Sequence, residues 1–188
     1  MRVIAGKFRS RLLHSPRGAD IRPTADRLRE TLFDVLTAGN PNVLDGTIWF
    51  DLYAGTGAVG IEALSRGAGK VYFVEMSKPF AELIRRNLTS LEVEEGFEIL
   101  RQDVVGALRV LNSGAVPPDF VFLDPPYRME QAYGNTLEAL AQPGLLRPQS
   151  LVIVEHRRKY DPEVTRGTLQ RYRKLEQGDA ALSFYRLG

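Results

Sequence analysis

Apolar positions along this chain alternate between short continuous runs and stretches where they recur every three or four residues. The block ADRLRETLFDVL places Leu28, Leu32, Val35 and Leu36 at helical spacing. Thr24 stands where an N-cap belongs, Asp26 suits the positive end of the helix dipole, and Gly39-Asn40-Pro41 stops the element. Beyond it the pattern predicts strands over 48–52, 71–75, 97–100, 120–123 and 151–154. Between them it predicts helices over 59–66, 78–91, 104–111 and 133–140. The strands are unbroken apolar runs, as required when helices cover both faces of a sheet. At the end the pattern changes. Residues 169–175 and 181–187 flank Gly178-Asp179, which predicts a terminal antiparallel hairpin. At the start, residues 1–22 are polar and Arg-rich, with room for a short strand or hairpin over 3–13. The expectation is a doubly wound, mostly parallel α/β sheet in a single domain over 1–188. Residues 1–22 form its basic N-terminal extension and 23–188 its Rossmann-like core.

Composition narrows the chemistry. The 188 residues include no cysteine and two histidines, His14 and His156. Disulfides, thiolate metal sites and cysteine nucleophiles are excluded, and no metal is expected. No apolar run approaches the length of a membrane helix, and the N-terminus carries no signal-peptide pattern, so a cytoplasmic protein is expected. Net charge is +2, but residues 1–29 carry eight basic side chains against Asp20 and Asp26. Basic ends around an acidic middle suit a polyanion partner, and equally suit two solvated surfaces. Trp49, inside the first strand of the alternating series, reads as core; His156 reads as a surface residue at a strand end.

The candidate chemistry lies where strands end. DLYAGTGAVG, Asp51 to Gly60, follows the first of these strands and opens a helix. Its glycines let backbone approach a ligand, although the spacing also fits a dinucleotide fingerprint, and Gly60 also suits close helix packing. Asp51, Glu75 and Asp103 stand at the ends of three successive strands. Glu75 can accept hydrogen bonds from ribose hydroxyls, Asp103 from an adenine amine, and Asp51 from an ammonium group. A nucleoside with an amino-acid tail answers all three, and S-adenosylmethionine is such a molecule. Tyr53, Ala54, Gly55 and Gly57 complete the expected cofactor contacts.

Asp124-Pro125-Pro126-Tyr127 comes directly after the fourth strand. An exocyclic amine on a base is poorly nucleophilic because its lone pair is delocalised into the ring. Two acceptors aimed at its N–H bonds, the Asp124 carboxylate and the Pro125 carbonyl, would free that pair, and Tyr127 would give the base a surface to stack on. Asp124 would also border the cofactor. Arg9, Arg11, Arg22 and Arg27 are candidate phosphate contacts, while Arg27 and Arg29 could instead pair with Glu30 or Asp34.

The blocks RVIAGKFRSRLL, RPTADRLRETLFDVL, DLYAGTGAVGIEALSRGA, VYFVE and VFLDPPY together resemble the RsmD family of bacterial methyltransferases. That resemblance implies a seven-stranded class I methyltransferase fold using S-adenosylmethionine. The implied acceptor is guanine N2 in small-subunit (16S) ribosomal RNA, met within the small subunit itself, and no obligate protein partner is implied. Tyr53 departs from the Phe or Cys common in relatives. Two rivals share parts of the pattern. One is an amino-methyltransferase acting on DNA adenine or a protein glutamine, the other a NAD-binding oxidoreductase.

Overall fold

The computed structural model describes residues 1–16, 23–114 and 117–188. Its first helix, α1 (Pro23–Thr37), begins one residue before the expected Thr24 cap. Proline lacks the N–H that a first helical position leaves unpaired, and its fixed φ already suits the helix. Strand and helix then alternate through β1 (Ile48–Leu52), α2 (Ala58–Ser65), β2 (Lys70–Val74), α3 (Lys78–Ser90) and β3 (Phe97–Leu100). The alternation continues through α4 (Val104–Gly114), β4 (Phe120–Leu123), α5 (Glu130–Leu140) and β5 (Leu151–Arg157), and ends on β6 (Thr165–Arg166), β7 (Leu169–Gln177) and β8 (Ala180–Leu187). Among the described residues the strands form one eight-stranded sheet in the order β3-β2-β1-β4-β5-β8-β7-β6. The pairings from β3 to β5 are parallel and the remainder antiparallel. The expected count of seven strands is exceeded by β6, a two-residue edge strand with no apolar run to announce it.

The apolar runs are continuous because each parallel strand is buried on both faces. Trp49, Val71, Phe73, Phe122 and Ile153 point into one core, shared with side chains of α1, α2 and α3. Phe50, Leu52, Val74, Val121, Leu123, Val152 and Val154 point into the other, with side chains of α4 and α5. Trp49 is fully buried, stacked between Phe33 and Phe120 with ring centroids 5.5 and 5.2 Å away. The strand order reverses direction between β1 and β4. Helices leave to opposite sides there and open a crevice at the carboxyl ends. No helix among the described residues is long and apolar enough to cross a membrane.

Two sequence expectations change. β5 runs three residues past the apolar stretch because Glu155, His156 and Arg157 pair with Leu182, Ala181 and Ala180 of β8. His156 is therefore buried rather than on the surface, with Nε2 2.9 Å from Ser183 Oγ and Nδ1 2.8 Å from the Arg157 carbonyl. Burial holds its pKa below the ordinary histidine value.

The N-terminal segment turns back on itself, with Arg2 bridged to Leu12, and buries Val3, Phe8 and Leu13 in the first core. Glu62 of α2, wholly buried, fastens it. Its two carboxylate oxygens accept the Ile4 and Ala5 amides at 2.8 and 3.0 Å, and one also accepts Arg66 Nε at 2.8 Å. Asn87 of α3 does the same further along, exchanging hydrogen bonds with both backbone groups of His14 and donating to the Thr56 carbonyl at 3.0 Å. The glycine loop is thus tied to the first residues of the chain.

Glu62→Ala leaves two amides without their acceptor and strips the buried Arg29 and the half-buried Arg66 of a counter-charge. Breaking a buried ionic arrangement from one side costs about 3–5 kcal/mol. Urea unfolding should show a loss of that order, and a loss below about 1 kcal/mol would mean that the N-terminal segment is not held this way.

Candidate active site

The loop after β1 is shaped by backbone conformations that ordinary residues avoid. Tyr53 sits at φ 61°, in the left-handed region, and Gly57 at φ 77° just before α2. The Gly57 amide closes a turn onto the Ala54 carbonyl at 2.7 Å, and Ala54 still pairs with Val74 at 3.0 Å. Gly60 allows α2 to lie close over the sheet. A Cβ there would stand 2.4 Å from the Phe73 ring and 2.9 Å from Asp51 Oδ2. The packing role open to Gly60 from the sequence is the one observed.

A cleft of about 1250 Å³ runs along the carboxyl ends of the strands. Of the residues singled out by sequence, Tyr53, Gly55, Glu75, Asp103, Asp124, Pro125 and Tyr127 line it. Glu75, one residue past β2, accepts the Gly55 amide at 2.9 Å and the Ser77 amide at 2.8 Å, so it holds the loop. Asp103 is exposed and accepts the Gly106 amide at 2.8 Å, capping α4. Tyr53 reaches across the cleft to Thr136 of α5 through its hydroxyl, at 2.9 Å. Asp51 and Ala54 line a second, smaller chamber of about 170 Å³, which shares Tyr53, Gly55 and Asp124 with the cleft. Gly57 is set back, packed against Ile84.

The DPPY segment leaves β4 beside β1, with the Asp124 amide 3.4 Å from the Leu52 carbonyl. The buried Pro125 carbonyl faces the Tyr133 hydroxyl at 3.4 Å. Tyr127 carries the Arg157 guanidinium 5.0 Å from its ring centroid, so one side of the expected stacking platform is occupied by a cation. Asp124, half-buried at the meeting of the two cavities, is pushed up to about 7 by loss of solvent. Asp51, buried and accepting the Gly60 amide at 2.8 Å, is pushed up to about 8, first by burial and then by the nearby Asp124 and Glu75.

Glu155 was not singled out from the sequence, although it closes the fifth apolar run as Asp51 and Asp124 close theirs. It lines the small chamber, its pKa is held well above the ordinary value by burial and by Asp124, and the Tyr127 hydroxyl bonds to it. Of the candidate phosphate contacts, Arg9, Arg11 and Arg27 are exposed, and Arg11 donates to the Ser90 carbonyl at 2.6 Å. Arg22 lies outside the described residues. Arg29 is buried and engages Asp26 at 3.1 Å rather than Glu30 or Asp34.

Residues 1–186 match the family described as Conserved hypothetical protein 95. The chain is 35% identical to ribosomal RNA small subunit methyltransferase D of Escherichia coli over 163 residues, covering 82% of this chain and 74% of that protein. It belongs to the RsmD family. The Haemophilus influenzae protein of the same name is 37% identical, with 82% of this chain and 78% of that one covered. The solved structure of yhhF from Escherichia coli superposes on this RsmD-family chain with a TM-score of 0.81. It is 29% identical and covers 100% of this chain and 97% of its own. The α/β methyltransferase fold expected from the sequence is therefore the one present.

Because Asp51 is neutral more readily in the folded RsmD-family chain than unfolded, its contribution to stability is complete below about pH 3.8 and is lost as pH rises towards about 8. Asp51→Asn keeps an oxygen for the Gly60 amide and removes the titration. Thermal melting from pH 4 to 8 should show the variant gaining on the parent as pH rises. A difference that stays flat would mean Asp51 ionises like an exposed aspartate.

Proposed function

We propose that the chain transfers a methyl group from S-adenosylmethionine to the exocyclic N2 amine of a guanine in small-subunit ribosomal RNA. It would act on the small subunit in the cytoplasm. One observation carries the reading: the DPPY segment leaves β4 at the point where the strand order reverses, and Asp124 and Pro125 line the cleft beside the glycine loop. The substrate class follows from the small-subunit ribosomal RNA in the names of the Escherichia coli and Haemophilus influenzae relatives.

The cleft suits the cofactor. Both Glu75 oxygens hold backbone amides, yet each keeps a second lone pair for a ribose hydroxyl. Asp103 stands across the cleft with Phe80 and Val104, an acceptor beside apolar surface for a purine ring. Asp51, engaged by Gly60 and set in the smaller chamber, supports the loop rather than gripping an ammonium group directly. The bound sulfonium supplies an activated methyl group and the driving force.

The remaining work belongs to the chain. The Asp124 carboxylate and the Pro125 carbonyl accept the two N–H bonds of the amine and turn its lone pair towards the methyl group. Tyr127, steadied by Arg157, stacks on the base. As the N–C bond forms and the methyl–sulfur bond breaks, its electron pair staying on sulfur, a proton would leave the nitrogen for Asp124, whose pKa near neutrality suits a group that must be ionised before the step and protonated after it. Arg9, Arg11 and Arg27 bind phosphates around the target, and Arg85 and Arg86 beside His14 extend that basic surface.

Incubation with labelled S-adenosylmethionine and unmethylated small subunits should place label on N2 of one guanine. Asp124→Ala should lower turnover by on the order of 10²–10³ and leave cofactor affinity near the parent value. Asp124→Asn, which cannot take the proton, should fall as far. Label elsewhere would overturn the substrate, and near-parent turnover by Asp124→Ala would overturn the mechanism. A largely active Asp124→Asn would leave Asp124 only the task of orienting the amine.

A further inference from the structure

The chamber of about 170 Å³ behind Asp124 is large enough for the edge of a planar base and far too small for a nucleoside cofactor. It opens onto the cleft across a shared wall of Tyr53, Gly55 and Asp124. Its lining combines apolar side chains such as Leu32, Phe122 and Leu182 with three carboxyl groups, Asp51, Asp124 and Glu155. Arg29 also lines it, but that cation is engaged by Asp26 at 3.1 Å and lies 4.0 Å from Glu62. Three carboxyl groups in so small a space cannot all be charged, and Asp124 must be charged to receive a proton. Asp51, pushed up to about 8, is one neutral member, and Glu155, buried directly beside the charged Asp124, is the other.

The strand register fixes how the two face the chamber. Leu123 of β4 pairs with Val154 of β5, so the residues that follow, Asp124 and Glu155, stand side by side at the carboxyl edge. A neutral carboxylic acid offers one acceptor, its carbonyl oxygen, and one donor, its hydroxyl. Guanine carries N1–H and O6 next to its N2 amine, one donor and one acceptor in the complementary order. The Tyr127 hydroxyl bonds to Glu155, so the stacking ring and this acid move as a unit.

We propose that the chamber receives the Watson–Crick edge of the target base, and that the neutral acid of Glu155 selects guanine by pairing with N1–H and O6 while Asp124 holds N2. This rests on the reading of the chain as a guanine-N2 methyltransferase. Methyl transfer as argued above makes no use of Glu155, a polar group whose burial by itself works against folding.

The test compares guanine with 2-aminopurine, which keeps the N2 amine but has a bare N1 and no O6. Small subunits are reconstituted with ribosomal RNA carrying either base at the methylated position, and kcat/KM is measured for the parent, Glu155→Gln and Glu155→Ala. A site built to hydrogen-bond a group rejects an analogue lacking it by large factors, so the parent should prefer guanine by on the order of 10² or more. The amide of Glu155→Gln presents the same donor and acceptor and should keep that preference. Glu155→Ala should lose most of the guanine rate and let the preference collapse towards unity. Melting curves and S-adenosylmethionine titrations should match or exceed the parent for Glu155→Gln, which separates recognition from folding. Equal losses on both bases in Glu155→Ala, or a Glu155→Gln as impaired as Glu155→Ala, would overturn the proposal. A parent enzyme that labels neither base would instead overturn the function on which it rests.

Discussion

Three carboxyl groups, one buried and two half-buried, are held together by the register of parallel strands. β1, β4 and β5 run side by side in step, Leu52 against Leu123 and Leu123 against Val154, so the acids at their ends cannot separate without shifting the sheet. Each of those strands is locked by side chains on both faces, Trp49 and Phe50 in β1, Val121 and Phe122 in β4, Val152 and Ile153 in β5. The hydrophobic cores thus hold an electrostatic arrangement that would otherwise relax. Burial raises the pKa values of Asp51, Asp124 and Glu155, and strain of this kind is concentrated where chemistry requires a proton to be held or moved near neutral pH.

The same constraint links the two cavities. The glycine loop, bent by Tyr53 at positive φ, forms their common wall together with Asp124. On one side the loop is fixed by Glu75, on the other by Asp51, each carboxylate holding one of its amides or the first turn of α2. The N-terminal segment reinforces the arrangement from outside through Asn87, which bonds both His14 and Thr56. A residue near the start of the chain is thereby coupled mechanically to the loop that shapes the cleft.

Most of the central sheet was legible because its signals are local. A run such as IWFDL or FVFL needs no partner to be read as a buried strand, and the glycine loop and DPPY are short contiguous motifs. What escaped depends on distant pairing. Nothing local in EHR marks it as strand; it becomes one because β8 arrives from more than 20 residues further along, and with it His156 is covered and Glu155 is aimed into the site. The role of Glu62 is equally invisible, since its amide partners lie 57 and 58 residues earlier in a stretch that reads as polar. The acid that closes the fifth apolar run obeyed a rule already visible at Asp51 and Asp124, and that rule was the available clue to Glu155.

The carboxyl cluster itself can be observed directly. Carbon-13 NMR of the side-chain carboxyl groups, titrated from pH 3 to 9, reports each protonation in the folded protein. The account requires signals assigned to Asp51 and Asp124 to titrate near neutrality, about 8 and about 7, with Glu155 also displaced upwards and its curve coupled to that of Asp124. If all three instead titrate below about pH 5, like exposed carboxylates, the like charges are not confined as described and the proton chemistry assigned to the site fails.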